Sequence, residues 1–280
     1  MITKIINRFT CNEKQLYTII KNLNKKNMYP ILDYINEYNK DHYKNYNKIM
    51  DSIEKFPNNF FSIKMSSLNI HNNYSLSEKY ITNICENAIT NNCKILIDAE
   101  NYIIQDSINN ITDELVSKYN KQNTNIYKTY QCYRKDSYEL IQKDLLNKAD
   151  YNLGIKLVRG AYYNQDFKYN ILYDELHKTH ENYNNCMNIL FKECSKNDDI
   201  ILATHNYTSC KIALNNKHLL KNNELLSFAQ LMGMADPLSK SLSKSEKVYK
   251  YVPFGNFHES IPYLLRRLYE NKYAVKHIFK

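Results

Sequence analysis

A chain of 280 residues with 43% hydrophobic side chains holds enough apolar material for one large α/β barrel or two small domains with full cores. Its formal charge of +9 comes from lysines scattered among asparagines and acids, so no basic tract interleaved with aromatics points to nucleic acid, and no apolar run is long enough to span a bilayer. The seven cysteines are odd in number and form no CxxC pair, which excludes a disulfide framework and fits a reducing compartment.

Residues 1–28 are basic, with Glu13 as the only acid, and read as an organelle-type leader or an accessory helix. Residues 29–280 read as a single domain without a low-complexity linker. Within it, short apolar runs at 30–35, 60–65, 94–98, 126–132, 154–158, 199–203, 225–229 and 247–251 are predicted strands. Amphipathic stretches at 40–55, 77–91, 107–119, 136–147, 174–194, 207–214, 238–244 and 259–269 are predicted helices. Strand then helix, eight times, is the pattern of a parallel sheet closed into a (βα)8 barrel. A doubly wound open sheet is the rival, but the glycine-rich GxGxxG turn it would want near the start is absent.

Active sites of such barrels lie at the C-terminal ends of the strands. The residues there are Asp33 and Glu37, Lys64, Asp98 and Glu100, Gln131 and Arg134, Lys156 with Arg159 and Gly160, Thr204-His205-Asn206, Gln230-Leu231, and Tyr251. Gly160, Gly233 and Gly255 follow strand ends, where a close backbone approach or a positive φ calls for glycine. The segment Tyr251-Val252-Pro253-Phe254-Gly255 reads as a strand and turn, followed by a helix with Arg266 and Arg267 inside an apolar run. Two adjacent guanidiniums there are costly unless an anion meets them, and their forks match carboxylate or phosphate. Pairing of Arg266 with Glu270 one turn on is the plainer alternative. His177 and His180 form an HxxH without further ligands at matching spacing, so they read as a surface helix and no metal is expected.

These segments, in this order, resemble the proline dehydrogenase family. The resemblance rests on Ile97-Asp98-Ala99-Glu100, Thr129-Tyr130-Gln131-Cys132-Tyr133, Lys156-Leu157-Val158-Arg159-Gly160-Ala161-Tyr162, Ala203-Thr204-His205-Asn206, Phe228-Ala229-Gln230-Leu231-Met232-Gly233-Met234, and the closing stretch from Tyr251 to Arg267. It covers residues 30–271 and is similar to the eukaryotic monofunctional type more than to the bacterial bifunctional one. It implies a distorted (βα)8 barrel of the TIM type, with the last helix over the mouth, that binds FAD. The implied reaction oxidises L-proline to Δ1-pyrroline-5-carboxylate by hydride transfer to flavin N5.

By the same resemblance, Arg266 and Arg267 clamp the substrate carboxylate with Lys64 as a third cation, while Asp98 and Glu270 offset the charge. Tyr162, Leu231 and Tyr251 wall the ring, and Glu37 forms a gate with Arg266. Gln131 and Lys156 sit by the isoalloxazine, Lys156 standing where bacterial relatives tend to carry arginine. Arg159, Gly160 and Ala161 follow the ribityl-pyrophosphate part, and Val158 and Tyr163 are further cofactor-binding residues. Thr204, His205 and Asn206 line the cofactor, His205 as a hydrogen-bonding group rather than an acid or base. Tyrosine at 251 favours proline over hydroxyproline. The family further implies a membrane quinone as electron acceptor, reached by transient membrane contact. In a eukaryote the implied place is the matrix side of the mitochondrial inner membrane, and otherwise the cytoplasm or a membrane surface. Two alternatives stay open: a dehydrogenase for hydroxyproline or another cyclic imino acid, and a catalytically inactive barrel of the same family. The oligomeric state is not legible.

Overall fold

The computed structural model describes residues 2–35, 41–256, 261 and 264. Glu37, Arg266, Arg267, Glu270 and all but two residues of the helix expected at 259–269 lie outside the described residues. Eight parallel strands close a barrel in sequence order: β1 (Met28–Tyr34), β2 (Phe60–Ile63), β3 (Lys94–Ile97), β4 (Ile126–Gln131), β5 (Gly154–Val158), β6 (Asp199–Ala203), β7 (Leu226–Leu231) and β8 (Lys247–Phe254). Closure is made by β1, where Ile31 registers with Phe60 on one side and with Tyr251 on the other. Helices α1 (Ile2–Phe9) and α2 (Glu13–Asn24) precede the barrel. Outside the strands run α3 (His42–Lys55), α4 (Tyr74–Thr90), α5 (Tyr102–Tyr119), α6 (Ser137–Asn147), the short α7 (Tyr163–Asp166), α8 (Leu176–Glu193), α9 (Tyr207–Asn216) and α10 (Asp236–Leu242).

Side chains alternate across a strand, so each strand sends one parity inward. The inward set packs as a layer of Ile31, Phe60, Leu96, Tyr127, Ile201, Ala229 and Tyr249, with Tyr251 joining from above. The outward set, including Leu32, Phe61, Ile95, Ile126, Leu157, Leu202, Phe228 and Val248, packs against the helices as the larger core. Two residues beyond the inward layer, the same parity reaches Asp33, Ser62, Asp98, Thr129 and Leu231 at the C-terminal mouth. Two residues before it, that parity reaches Tyr29, Lys94 and Asp199 at the opposite end, joined there by Lys247.

Local chemistry sets several boundaries. Asn12 caps α2 by accepting from the Gln15 amide at 3.1 Å, and Gln15 returns the bond to the Asn12 amide. Helix α5 starts at Tyr102, five residues before the expected 107, because the β-branched run at 103–104 looks extended by propensity yet packs Ile104 into the core. Strand β8 continues through Pro253 to Phe254, past the expected end at 251, and the proline carbonyl accepts from the Cys11 amide at 3.0 Å. Cys11 carries the N-terminal segment alongside the end of β8, and its own carbonyl accepts from the Gly255 amide at 3.0 Å. Helix α1 is thereby placed beside the turn after β7, where Arg8 Nε donates to the Gly233 carbonyl at 3.2 Å. Gly233 has φ +76°, and a Cβ there would meet the Arg8 carbonyl at 2.4 Å, so its expected positive φ serves packing against α1.

Candidate active site at the barrel mouth

The C-terminal mouth gathers a compact charged cluster. Lys156, inward on β5, donates from Nζ to Asp98 Oδ1 at 2.6 Å and lies 3.3 Å from the Tyr251 hydroxyl. Tyr251 on β8 donates to Asp98, its oxygen lying 2.8 and 2.9 Å from the two carboxylate oxygens, and it also contacts the Ser62 hydroxyl. Lys64, just past β2, donates to Asp33 Oδ1 at 2.5 Å and stands 3.8 Å from Asp98 Oδ2. Two lysines and two aspartates thus meet within the barrel, and Asp33, Asp98 and Lys156 are all buried.

Electrostatics follow from that packing. Burial pushes the Asp98 carboxyl upward, but the charges of Lys156 and Lys64, with the hydrogen bonds from Lys156 and Tyr251, hold it down at about 2. Burial lowers the Lys156 pKa, offset in part by Asp98. Burial and then the Asp98 charge raise Tyr251 well above the ordinary phenol range, so it stays a neutral donor. Asp33 Oδ2 is buried without a hydrogen-bond partner among the described residues. Buried ion pairs add little net stability, and clusters of shifted groups in a cleft are a mark of functional sites.

A second cluster flanks the first where β5 ends. Arg159 donates from Nε to His180 Nδ1 at 2.8 Å, from Nη1 to Thr204 Oγ1 at 2.6 Å and from Nη2 to Ser209 Oγ at 2.9 Å, with its guanidinium 4.3 Å from the Tyr183 ring centroid. His180 is therefore not a plain surface residue, as its HxxH setting suggested, but a half-buried acceptor for this arginine. The Thr204-His205-Asn206 run divides its work. Thr204 holds Arg159, His205 Nε2 accepts from the Leu231 amide at 3.0 Å, and Asn206 caps α9 by accepting from the Ser209 amide at 3.0 Å. With its Nε2 lone pair engaged by the Leu231 amide, His205 is a poor base at that nitrogen.

Gln131, on β4, donates to the Glu100 carbonyl at 2.8 Å and accepts from the Ala161 amide at 3.3 Å, which ties the turn after β5 to the mouth. Gly160 in that turn has φ +131°, and a Cβ there would fall 1.9 Å from Tyr133 Cδ1. Tyr133 in turn donates to Asp166 Oδ2 at 2.6 Å, and Asp166 Oδ1 accepts from the Tyr102 amide at 2.8 Å. Val158 closes β5, Leu231 packs on the inward layer, Tyr162 opens α7, and Tyr163 is exposed on α7 beside Phe167, ring centroids 5.5 Å apart. Sequence reasoning assigned no role to Asp33, Ser62, His180 or Ser209. The inward parity from Ile31 and Phe60 was the available signal for the first two.

A family model described as proline dehydrogenase matches residues 17–278. Among named relatives, "Proline dehydrogenase 2, mitochondrial" of Arabidopsis thaliana is 38% identical over 168 residues, 55% of this chain and 35% of that protein. "Proline dehydrogenase 1, mitochondrial" of Homo sapiens is 35% identical over 174 residues, 57% of this chain and 29% of that protein. "Hydroxyproline dehydrogenase" of Xenopus laevis is 32% identical over 180 residues, 59% of this chain and 39% of that protein. The matched stretch thus spans roughly a third of each relative's length. Of solved structures, proline utilization A from Bdellovibrio bacteriovorus, inactivated by N-propargylglycine, superposes at a TM-score of 0.86 with 19% identity, covering 96% of this chain and 33% of that one. That from Corynebacterium freiburgense superposes at 0.84 with 17% identity, covering 99% and 32%. These two likenesses establish the shared fold.

Proposed function

The chain belongs to the proline dehydrogenase family, and from that membership we propose that it oxidises L-proline to Δ1-pyrroline-5-carboxylate with FAD as its cofactor. The observation that carries the reading is the Lys64–Asp98–Lys156–Tyr251 cluster at the barrel mouth, brought together from β2, β3, β5 and β8. FAD, when bound, supplies the hydride acceptor. The residues present suit it: the Lys156 ammonium offers a fixed cation, Arg159 has more N–H donors than its three side-chain partners use, and Gly160 leaves exposed backbone without a Cβ.

The chain's own groups have separable tasks. Lys64 offers a cation at the rim for the substrate carboxylate, and Arg266 and Arg267 are proposed to complete that clamp, with Glu270 offsetting charge and Glu37 gating. Tyr251, Tyr162 and Leu231 wall the ring. Asp98 orients Lys156 and Tyr251. With its pKa held at about 2, Asp98 is too weak a base to take the amine proton, and since the amine must lose that proton before or during hydride transfer, the rate climbs with pH. From the family, the proposed electron acceptor is a membrane quinone, reached by transient membrane contact. A mitochondrial location is proposed from the names of the eukaryotic relatives.

The test is anaerobic absorbance of the FAD-loaded protein with L-proline and, separately, trans-4-hydroxy-L-proline. Bleaching of the visible flavin band by proline supports the reading. Bleaching by hydroxyproline alone moves the assignment to that substrate, and a band that ignores both points to another cyclic imino acid or to a catalytically inactive barrel.

A further inference from the structure

A cleft of about 920 Å³ opens at the opposite end of the barrel, around the N-terminal ends of the strands. Aromatic side chains floor it. Phe60 meets Tyr127 edge-on at 5.1 Å between ring centroids and Tyr249 at 4.9 Å, and these rings belong to the inward layer that lies between the cleft and the mouth.

The charges lining the cleft are unbalanced: Lys94, Lys196 and Lys247 face a single carboxylate, Asp199. That carboxylate is already engaged, accepting from the Tyr127 hydroxyl at 2.6 Å and lying 3.4 Å from Lys94 Nζ. Lys94 is positioned further by the Tyr127 oxygen at 3.0 Å. Lys247, the first residue of β8, has its ammonium 5.6 Å from the Tyr249 ring centroid and makes no side-chain hydrogen bond or ion pair among the described residues. Burial depresses its pKa, Asp199 offsets part of that, and Lys94 opposes the offset. The walls add side-chain amides, among them Asn123 and Asn197.

We propose that this cleft is a second ligand site, taking a phosphate-bearing metabolite of nucleotide size with its phosphates between Lys94 and Lys247. A monocarboxylate would neutralise only one of the two lysines, and a dicarboxylate carries less charge and fewer acceptor oxygens than a polyphosphate, which meets both as point charges. The volume exceeds what an inorganic anion needs and lies within the range of small-molecule pockets. The amide-bearing walls match the hydroxyl and ring edges of a sugar or base.

Calorimetric titration of the FAD-saturated full chain with ATP, pyrophosphate and succinate tests the site at constant ionic strength. The readout is binding, so it does not depend on turnover of proline, and saturating FAD occupies the mouth. The expected result is one saturable event with ATP, no weaker than with pyrophosphate, and weaker binding of succinate than of either. Lys247→Gln should weaken it about tenfold or more, as for loss of a hydrogen bond to a charged group. Lys247 stands at a strand start, crowded by the cleft walls but open to solvent through the cleft, so the variant should keep its melting temperature without ligand, and that measurement separates lost binding from lost fold. Absence of saturable binding at millimolar ATP, equal binding by Lys247→Gln, or succinate binding as well as pyrophosphate would each overturn the proposal.

Discussion

Arg159 donates through Nε to Nδ1 of His180 at 2.8 Å, so that nitrogen must be unprotonated and the imidazole neutral. Burial, then the charges of Arg159 and His177, lower the His180 pKa below 6.5. The folded state therefore binds fewer protons than the unfolded state between the lowered value and 6.5. Stability should be complete above that window and fall as pH drops through it. Below the folded pKa the imidazolium faces the guanidinium, and retention of FAD should weaken with it. Melting temperature and FAD affinity of wild type and His180→Asn, followed from about pH 5 to 8, check this. The variant should lose the acid-side decline, and an unchanged decline would assign it to other groups.

The Tyr251 hydroxyl bridges Asp98, Ser62 and Lys156. Tyr251→Phe keeps the ring and removes one donor to an ionised carboxylate, a loss of about 1.5–3 kcal/mol. If that contact orients the site for proline, kcat/KM should fall about tenfold to a hundredfold while FAD content stays the same. Parallel loss of FAD would instead make Tyr251 a support for the cofactor.

The barrel was legible because each strand is a short apolar run bounded by polar residues, and the runs at 154–158 and 199–203 match β5 and β6 residue for residue. The proximity of Lys156, Asp98 and Tyr251 was legible only through strand order, since Lys156 lies within β5, Asp98 just past β3 and Tyr251 within β8. The Thr204-His205-Asn206 run was less so. Its partners Arg159, Leu231 and Ser209 lie 45, 26 and 3 residues away, and only the last is a local contact that a capping rule can find. Likewise nothing local marks His180, 21 residues from Arg159, as the acceptor. Side-chain pairing across elements depends on how helices settle on the barrel, which periodicity does not encode.

Asp98 and Lys156 should respond unequally to removal. Asp98→Asn leaves Lys156 buried without its carboxylate, a loss of about 3–5 kcal/mol for breaking a buried pair. Lys156→Met leaves Asp98 with Lys64 at 3.8 Å and with Tyr251, so it should cost less. The double variant should recover part of the single loss, with a coupling of about 0.5–3 kcal/mol in a denaturation cycle. The lowered Asp98 pKa fixes the sign with pH: its stabilising contribution is present above 3.8 and is lost as pH falls through about 2. Asp98→Asn should accordingly flatten the acid limb of the stability curve. Additive single variants would mean the pair is not coupled in solution.

Gly160 joins the mouth to the outer helices. Its φ of +131° strains any L side chain, at about 1–3 kcal/mol, and a Cβ would fall 1.9 Å from Tyr133 Cδ1. Tyr133 is 4% exposed, so its ring has little free space into which to move. Displacing it would also break its bond to Asp166, which holds the Tyr102 amide at the start of α5. Gly160→Ala should therefore lower the melting temperature and loosen the turn that Gln131 holds through the Ala161 amide. Tyr133→Leu in the Gly160→Ala background separates the two causes. It removes the ring clash but leaves the backbone strain, and Tyr133→Leu alone is the baseline because it loses the Asp166 bond by itself, so Gly160→Ala should cost less in that background than in the wild type. An unchanged cost would put the whole effect on the backbone, and no cost would put it on the ring.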